Sequence, residues 1–170
     1  MRFVLSVLAV AAMLTPAFAA DADANKELYR RFMEEVWNKR NPSAVDRYLS
    51  PDYVEHNPNL PPGIEGRKQF VATVQAAFSD YHAEIEEVVA EGDRVVARVL
   101  WTGTQDGPFQ GRPPTHNKLR FSTSDFFRIA DGKIAEHWDV VDRLPRMIAL
   151  GLLPPTALAP NSTGQAPAKP

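Results

Sequence analysis

The spacing of apolar residues changes from a helical to an extended pattern halfway along the chain. Up to about residue 78, apolar residues recur at the three- and four-residue spacing of helices. From residue 82 onward they alternate with polar residues, and the turn clusters 91–93 and 131–132 interrupt the alternation. Helices followed by antiparallel strands predict an α+β domain, in which the helices pack against one face of the sheet.

The apolar pattern and the turn residues place eight elements. Helices are predicted over 24–37, 41–50 and 65–78, where Asn41-Pro42 starts the second helix and Ser50-Pro51 ends it. One predicted hairpin joins strands 82–90 and 94–104, and another joins 118–130 and 133–142. A short helix over 144–150 closes the domain.

Charge and composition exclude several classes of function. The 170 residues include 19 Lys and Arg, 21 Asp and Glu, and no cysteine, for a net charge of -2. A near-neutral chain without basic runs lacks the electrostatic footprint of a nucleic-acid binder, and disulfide or zinc–thiolate frameworks are excluded. The sequence also has no phosphate-binding glycine loop, no serine nucleophile elbow and no HExxH pair.

The two ends are predicted to lie outside the fold. Residues 1–19 combine Arg2, an uncharged apolar stretch and small residues before a cut after Ala19 or Ala20, which predicts a secretory signal peptide. We therefore expect a periplasmic or secreted protein that makes no membrane contact after cleavage. Residues 24–154 form the domain, and the Pro- and Ala-rich residues 156–170 are predicted to be a disordered tail.

Three polar residues interrupt apolar strand positions in the second hairpin. Asp125 lies in the alternation of residues 121–129, while His137 and Asp139 share a face with Ala135 on the next strand. A three-residue loop, 130–132, would pair Asp125 with His137 and bring all three to one face. A two-residue turn would instead place His137 and Asp139 on the opposite face from Asp125.

Four stretches of the sequence resemble the SnoaL-like polyketide cyclase family. They are 52–58 (DYVEHNP), 103–115 (GTQDGPFQGRPPT), 126–139 (FFRIADGKIAEHWD) and 150–154 (LGLLP). The resemblance implies a fold like that of nuclear transport factor two, a curved antiparallel sheet wrapped by three N-terminal helices into a cone with one deep apolar pocket. It also implies aldol ring closure without a cofactor, with Asp139 as the base, and makes a homodimer plausible. Asp125 and Gln105 stand where the characterised cyclases have histidine.

The residues and the resemblance together predict an acid/base enzyme, an aldol-type cyclase or an isomerase. Its substrate is expected to be a small hydrophobic or carbonyl-bearing molecule, and no metal or cofactor is expected. Burial and a neighbouring carboxylate would raise a carboxyl pKa above its usual value of about 4. Asp139 would then remove a carbon-bound proton, while Asp125 or His137 donates to the enolate oxygen. The predicted substrate-binding residues are His56, Asn57, Trp101, Gln105 and Trp138.

Three other interpretations fit the sequence. The pocket could bind a small hydrophobic ligand without altering it, since a fold does not imply a function. His56 and His137 with either aspartate could also bind a metal ion, because two histidines and one carboxylate are a known ligand set. An oligomer formed through the open sheet face is compatible with either function.

Overall fold

The computed structural model describes residues 16–154 and 156, with side chains described from Ala22 onward. A π-helical stretch, Met33–Asn38, continues the first helix, and a 3-10 turn, Pro42–Ala44, leads into the second. The bounds of the helices and strands are α1 Pro16–Phe32, α2 Val45–Tyr48, β1 Leu49–Glu55, α3 Gly63–Ala77, β2 His82–Glu91, β3 Arg94–Thr104, β4 Lys118–Ala130, β5 Lys133–Val141 and α4 Arg143–Ala149.

The five strands form one open, curved sheet in the order β1-β5-β4-β3-β2. The two predicted hairpins, β2–β3 and β4–β5, are antiparallel, and the α+β prediction is confirmed. Bulges in β2 and β5 bend the sheet, because an extra residue on one strand increases its local twist. The concave face carries the helices.

One strand was missed by the sequence analysis. The predicted second helix ends early, and β1 begins at Leu49 and pairs in parallel with β5. Pro51, predicted to follow the end of a helix, lies within this strand instead. A proline is tolerated there because β1 is at the edge of the sheet, where one side needs no hydrogen-bond donor. The sheet is therefore mixed and not wholly antiparallel.

Aromatic side chains fill the space between the helices and the concave face of the sheet. Tyr29 and Phe32 of α1 pack against Phe127 of β4, with ring centroids 5.2 and 6.2 Å apart. Trp37 meets Trp101 of β3 edge-on at 5.0 Å. These rings are buried, and each contributes on the order of 1.5–3 kcal/mol through removal from water. Most of these core side chains therefore also form the walls of the cavity inside the cone.

The predicted signal peptide and tail fall mostly outside the described residues. Residues 1–15 and 157–170 belong to that part of the chain, and the predicted cleavage after Ala19 or Ala20 lies within α1. Among the described helices, none combines the length and the hydropathy needed to span a bilayer.

Candidate functional site

A β-bulge in β5 decides which side chains enter the cone. Asp131 and Gly132 form a two-residue turn with φ of 51° and 69°, which is the second of the two turns that the sequence permitted. Such a turn alone would point His137 and Asp139 away from Asp125. Ala135 is an extra residue in β5, however, and it shifts the later register by one, which returns both side chains to the concave face.

The bulge therefore brings Asp125, His137 and Asp139 to one face of the sheet, but the residues that lie opposite one another differ from those that a three-residue loop would pair. Asp125 lies opposite Asp139, and Phe127 lies opposite His137, whereas a three-residue loop would have paired Asp125 with His137. One donor atom from each of Asp125, His137 and Asp139 lies within 4.8 Å of the other two. His137 Nε2 is 3.9 Å from Asp125 Oδ1, which leaves a gap slightly wider than a hydrogen bond.

Asp139 is held by an oriented amide. Asn57 Nδ2 donates to both carboxylate oxygens, at 2.7 and 3.0 Å. The amide oxygen of Asn57 accepts hydrogen bonds from the backbone N–H and the side-chain amide of Asn59, each at 2.9 Å. Since the oxygen is occupied on that side, the NH₂ group must face Asp139. The loop that follows β1 thus fixes the position of the proposed base.

Glu55, which was not among the predicted site residues, lies directly beneath His137. Its side chain is 1% exposed, and Oε1 lies 2.9 Å from His137 Nδ1. Tyr53 donates to Oε2 at 2.7 Å, and Arg67 Nη2 lies 3.2 Å from the same oxygen. Although burial acts to raise the pKa of Glu55, hydrogen bonding from His137 and the charge of Arg67 lower it to about 2. Glu55 is therefore an anion at neutral pH.

The tautomer of His137 follows from these contacts. Nδ1 lies 2.9 Å both from Glu55 Oε1 and from Arg67 Nη2. A carboxylate only accepts and a guanidinium only donates, so Nδ1 can satisfy one of them. Burial and Arg67 act to lower the pKa of His137, but the carboxylates of Asp125 and Glu55 outweigh them, and the pKa is raised. We therefore assign a proton to Nδ1, which donates it to Glu55. Nε2 is directed toward Asp125 and carries the second proton of the imidazolium form, which the raised pKa favours.

Glu55 and Arg67 were not predicted as site residues, but each had a recognisable pattern in the sequence. Glu55 alternates with Tyr53 and Asn57, so the three share one face of an extended segment. Arg67 precedes Val71 and Val74 at helical spacing, on the buried side of α3, and it is 6% exposed. A charged residue on each of two apolar faces indicates a buried ion pair, but nothing in the spacing says that the two meet.

The convergent groups line a cavity that, with its opening, contains about 700 Å³ of empty space. Its polar lining residues are Asn57, Arg67, Thr123, Asp125, His137, Asp139 and Arg146. The rest of the wall is apolar and mostly aromatic. Trp101, one of the predicted substrate-binding residues, lines this wall and donates from Nε1 to Thr123 Oγ1 at 2.9 Å.

The structure does not bring three of the predicted substrate-binding residues into the cavity. His56 and Trp138 lie on the convex face of the sheet, where their rings stack at 4.3 Å and His56 Nε2 contacts Glu136 at 2.7 Å. Gln105 is 1% exposed and organises the 105–117 loop, since it accepts a hydrogen bond from Thr115 and donates to the carbonyl of Pro113. Strand alternation after the bulge places Trp138 outward when His137 points inward.

The cluster of Asp125, His137 and Asp139 is compact enough to reach a common metal ion. The hydrogens of the Asn57 amide already point at both oxygens of Asp139, and metal binding requires a neutral imidazole. With this donor aimed at Asp139, the cluster suits proton transfer better than a divalent cation. The predicted metal set that included His56 is wrong, because His56 lies on the other face.

Comparison with known proteins identifies the family. The family model for the SnoaL-like polyketide cyclases matches residues 27–150, and the chain belongs to that family. It is 34% identical over 117 residues to a nogalonic acid methyl ester cyclase from Streptomyces nogalater, covering 65% of this chain and 85% of that protein. It is 32% identical over 131 residues to the aklanonic acid methyl ester cyclase DnrD from Streptomyces peucetius, covering 74% and 89%.

A solved structure agrees with this assignment. TsrD from Streptomyces laurentii superposes with a TM-score of 0.70 at 32% sequence identity, over 77% of this chain and 97% of that chain. The predicted fold class, the cone of the nuclear transport factor two type, is confirmed.

Proposed function

We propose that this chain is a cofactor-independent acid/base enzyme, an aldol-type cyclase or an isomerase, that removes a proton from the carbon next to a carbonyl group. One observation carries the proposal: the Asp139 carboxylate, fixed by Asn57, faces an apolar cavity together with His137. The membership of the chain in a cyclase family supports it. A small, largely apolar carbonyl compound matches the aromatic walls.

In the first step, Asp139 accepts the carbon-bound proton, and the electron pair of the broken C–H bond moves onto the carbonyl oxygen. His137 Nε2–H donates to that developing enolate oxygen, so no free charge accumulates in the apolar cavity. In a cyclisation, the enolate carbon then forms a bond to a second carbonyl of the same molecule. Asp139, which holds the abstracted proton, gives it to the new alkoxide and becomes a carboxylate again, so protons and charge balance.

Glu55 and Arg67 act on this reaction through His137. Glu55 holds Nδ1–H, which sets the ring plane and directs Nε2 into the cavity. Arg67 lies against Glu55 and neutralises it, so that burying the carboxylate is tolerated. Both are positioning residues in this proposal.

Deuterium exchange tests the proton abstraction without knowledge of the natural substrate. Methyl 4-oxo-4-phenylbutanoate carries an exchangeable CH₂ group beside its ketone, and NMR in D₂O follows its loss. We expect the wild type to accelerate exchange and Asp139→Asn to slow it by about 100-fold or more, the usual contribution of a general base. Asp142→Asn is the matched control, since Asp142 is exposed and does not line the cavity.

Two outcomes would contradict the proposal. An Asp139→Asn rate equal to that of the wild type would remove Asp139 from the role of base. A wild type that binds the ketone but never exchanges it would favour the second interpretation of the sequence, a ligand-binding protein without catalysis.

We infer the cellular location from the sequence alone. The predicted signal peptide, residues 1–19, supports a periplasmic or secreted protein. N-terminal sequencing of the protein from its native host is expected to begin at Ala20 or Asp21; an intact Met1 would contradict this.

A further inference from the structure

Arg146 of α4 presents a cation to the cavity, where the negative charge of Asp139 acts on it without forming an ion pair within residues 22–154. Its guanidinium carbon lies 5.8 Å from the ring centroids of both Phe109 and Phe121. Within residues 22–154, the side chain of Arg146 forms no hydrogen bond and no ion pair. Arg67, the other arginine that lines the cavity, differs in this respect, because it is paired with Glu55.

Arg146 lies at the boundary between the cavity and a neighbouring basin, where an entering ligand would contact it. The cavity opens into an outer basin, and Asn57, Leu60, Phe70, Val141 and Arg146 line both spaces. The wall of the basin also includes Arg143 but no aspartate or glutamate. The opening is therefore positively charged, whereas the carboxylates of Asp125 and Asp139 lie deeper inside.

The guanidinium of Arg146 is half-buried, and its N–H groups are not occupied by any acceptor within residues 22–154, so they are available to a ligand. Burial lowers the pKa of Arg146, yet an arginine remains charged at any physiological pH. The two phenylalanine rings hold its planar group by cation–π contact but supply no hydrogen-bond acceptor. Its N–H groups can accommodate both oxygens of one carboxylate at once.

We propose that Arg146 binds the carboxylate of a substrate whose ketone reaches Asp139 and His137, so that this site takes keto acids in preference to their neutral esters. This inference deepens the proposed function and rests on it for the position of the ketone. The two relatives described above are named for methyl ester substrates. In this chain, Arg146 is expected to favour the free acid.

A matched pair of probes tests the preference. 4-Oxo-4-phenylbutanoate and its methyl ester share the ketone and the phenyl ring but differ in charge. Proton–nitrogen NMR titrations follow the indole N–H signals, because Trp37 and Trp101 line the cavity. Trp138 lies on the convex face, and its signal serves as the internal control.

We expect the acid to bind about 10-fold or more tightly than the ester, the usual effect of a hydrogen bond to a charged group. Arg146→Gln should remove this preference, because the affinity for the acid falls while the affinity for the ester stays within about twofold of the wild type. Arg146→Lys should retain part of the preference. Arg143→Gln on the same helix should change the preference by less than about threefold at physiological salt, where exposed charges are screened.

Equal affinity of the wild type for the two probes would overturn the inference. An equal loss of affinity for both probes in Arg146→Gln would also overturn it. The same holds if titration with the acid does not shift the Trp37 and Trp101 signals. These readouts do not require turnover. Asp139→Asn should therefore keep the preference for the acid even if no proton exchange is ever found, which separates failure of this inference from failure of the proposed reaction.

Discussion

Replacing Glu55 by glutamine removes a buried negative charge while keeping the shape of the side chain. The change breaks the ion pair with Arg67 and replaces the carboxylate that accepts the Nδ1 proton of His137. Arg67 then remains buried without its anion, and the loss of one partner from a buried pair is strongly destabilising.

The size of the effect follows from the pKa of Glu55. A folded-state pKa of about 2, against 4.5 for a free glutamate, corresponds to about 3 kcal/mol of folding stability at neutral pH. Because the pKa is lowered by folding, this contribution is present above pH 4.5 and is lost as the pH falls toward 2. At pH 3 about half of it remains. The raised pKa of His137 has the opposite sign, so its contribution is complete below about pH 6.5 and declines at higher pH.

Urea denaturation at pH 7 and pH 3 measures the prediction. Glu55→Gln should be less stable than the wild type by about 3 kcal/mol at pH 7, and the difference should shrink to about half at pH 3. NMR titration of His137 should show a lower pKa in the variant, since Glu55 is one of the groups that raise it. Glu136→Gln is the control. Glu136 contacts His56 in a similar way, but on the exposed convex face, so a much smaller change is expected.

Equal stability of Glu55→Gln and the wild type at pH 7 would show that Glu55 does not stabilise the fold as a buried anion, and so would a difference that does not depend on pH. If the variant does not fold, the wild type alone still decides the question. Protonation of Glu55 should lower the stability of the wild type by about 2.5 kcal/mol between pH 4.5 and pH 2, and a smaller total fall would contradict the assignment.

Three further predictions concern other parts of the molecule. Gly107→Ala should destabilise the protein by about 1–3 kcal/mol in thermal or urea unfolding, because a Cβ at this position would lie 2.2 Å from the carbonyl oxygen of Ala76; unchanged stability would show that the loop moves freely. The homodimer predicted from the family resemblance is expected to bury the convex face, so Phe126→Asp should give a monomer by light scattering while the wild type is a dimer. Proton exchange on the ketone ester should survive treatment with EDTA, and a loss restored by Zn²⁺ or Mn²⁺ would contradict the metal-free mechanism.

The helices and strands were predictable because local patterns specify them. The structure has strands Arg94–Thr104 and Lys118–Ala130 at the predicted bounds, and α3 begins and ends within two residues of its prediction. The alternation of β4 also identified Asp125 as a polar residue on a buried face, and it is 5% exposed. Strand β1 was not predicted because its sequence contains Pro51 and has no clear alternation of apolar and polar residues. Its pairing with β5 is a contact between distant segments.

The α+β architecture, the family and the residue types available for chemistry can be read from the sequence. Which of these residues meet depends on the folded chain. A strand has a side-chain period of two, so the single extra residue at Ala135 determines whether His137 and Asp139 face the cavity or the solvent, and the sequence permitted both. The Glu55–Arg67 pair and the unpartnered Arg146 likewise depend on packing between separate elements. Burial and distance, which assign their roles, are properties of the folded chain and not of the spacing along it.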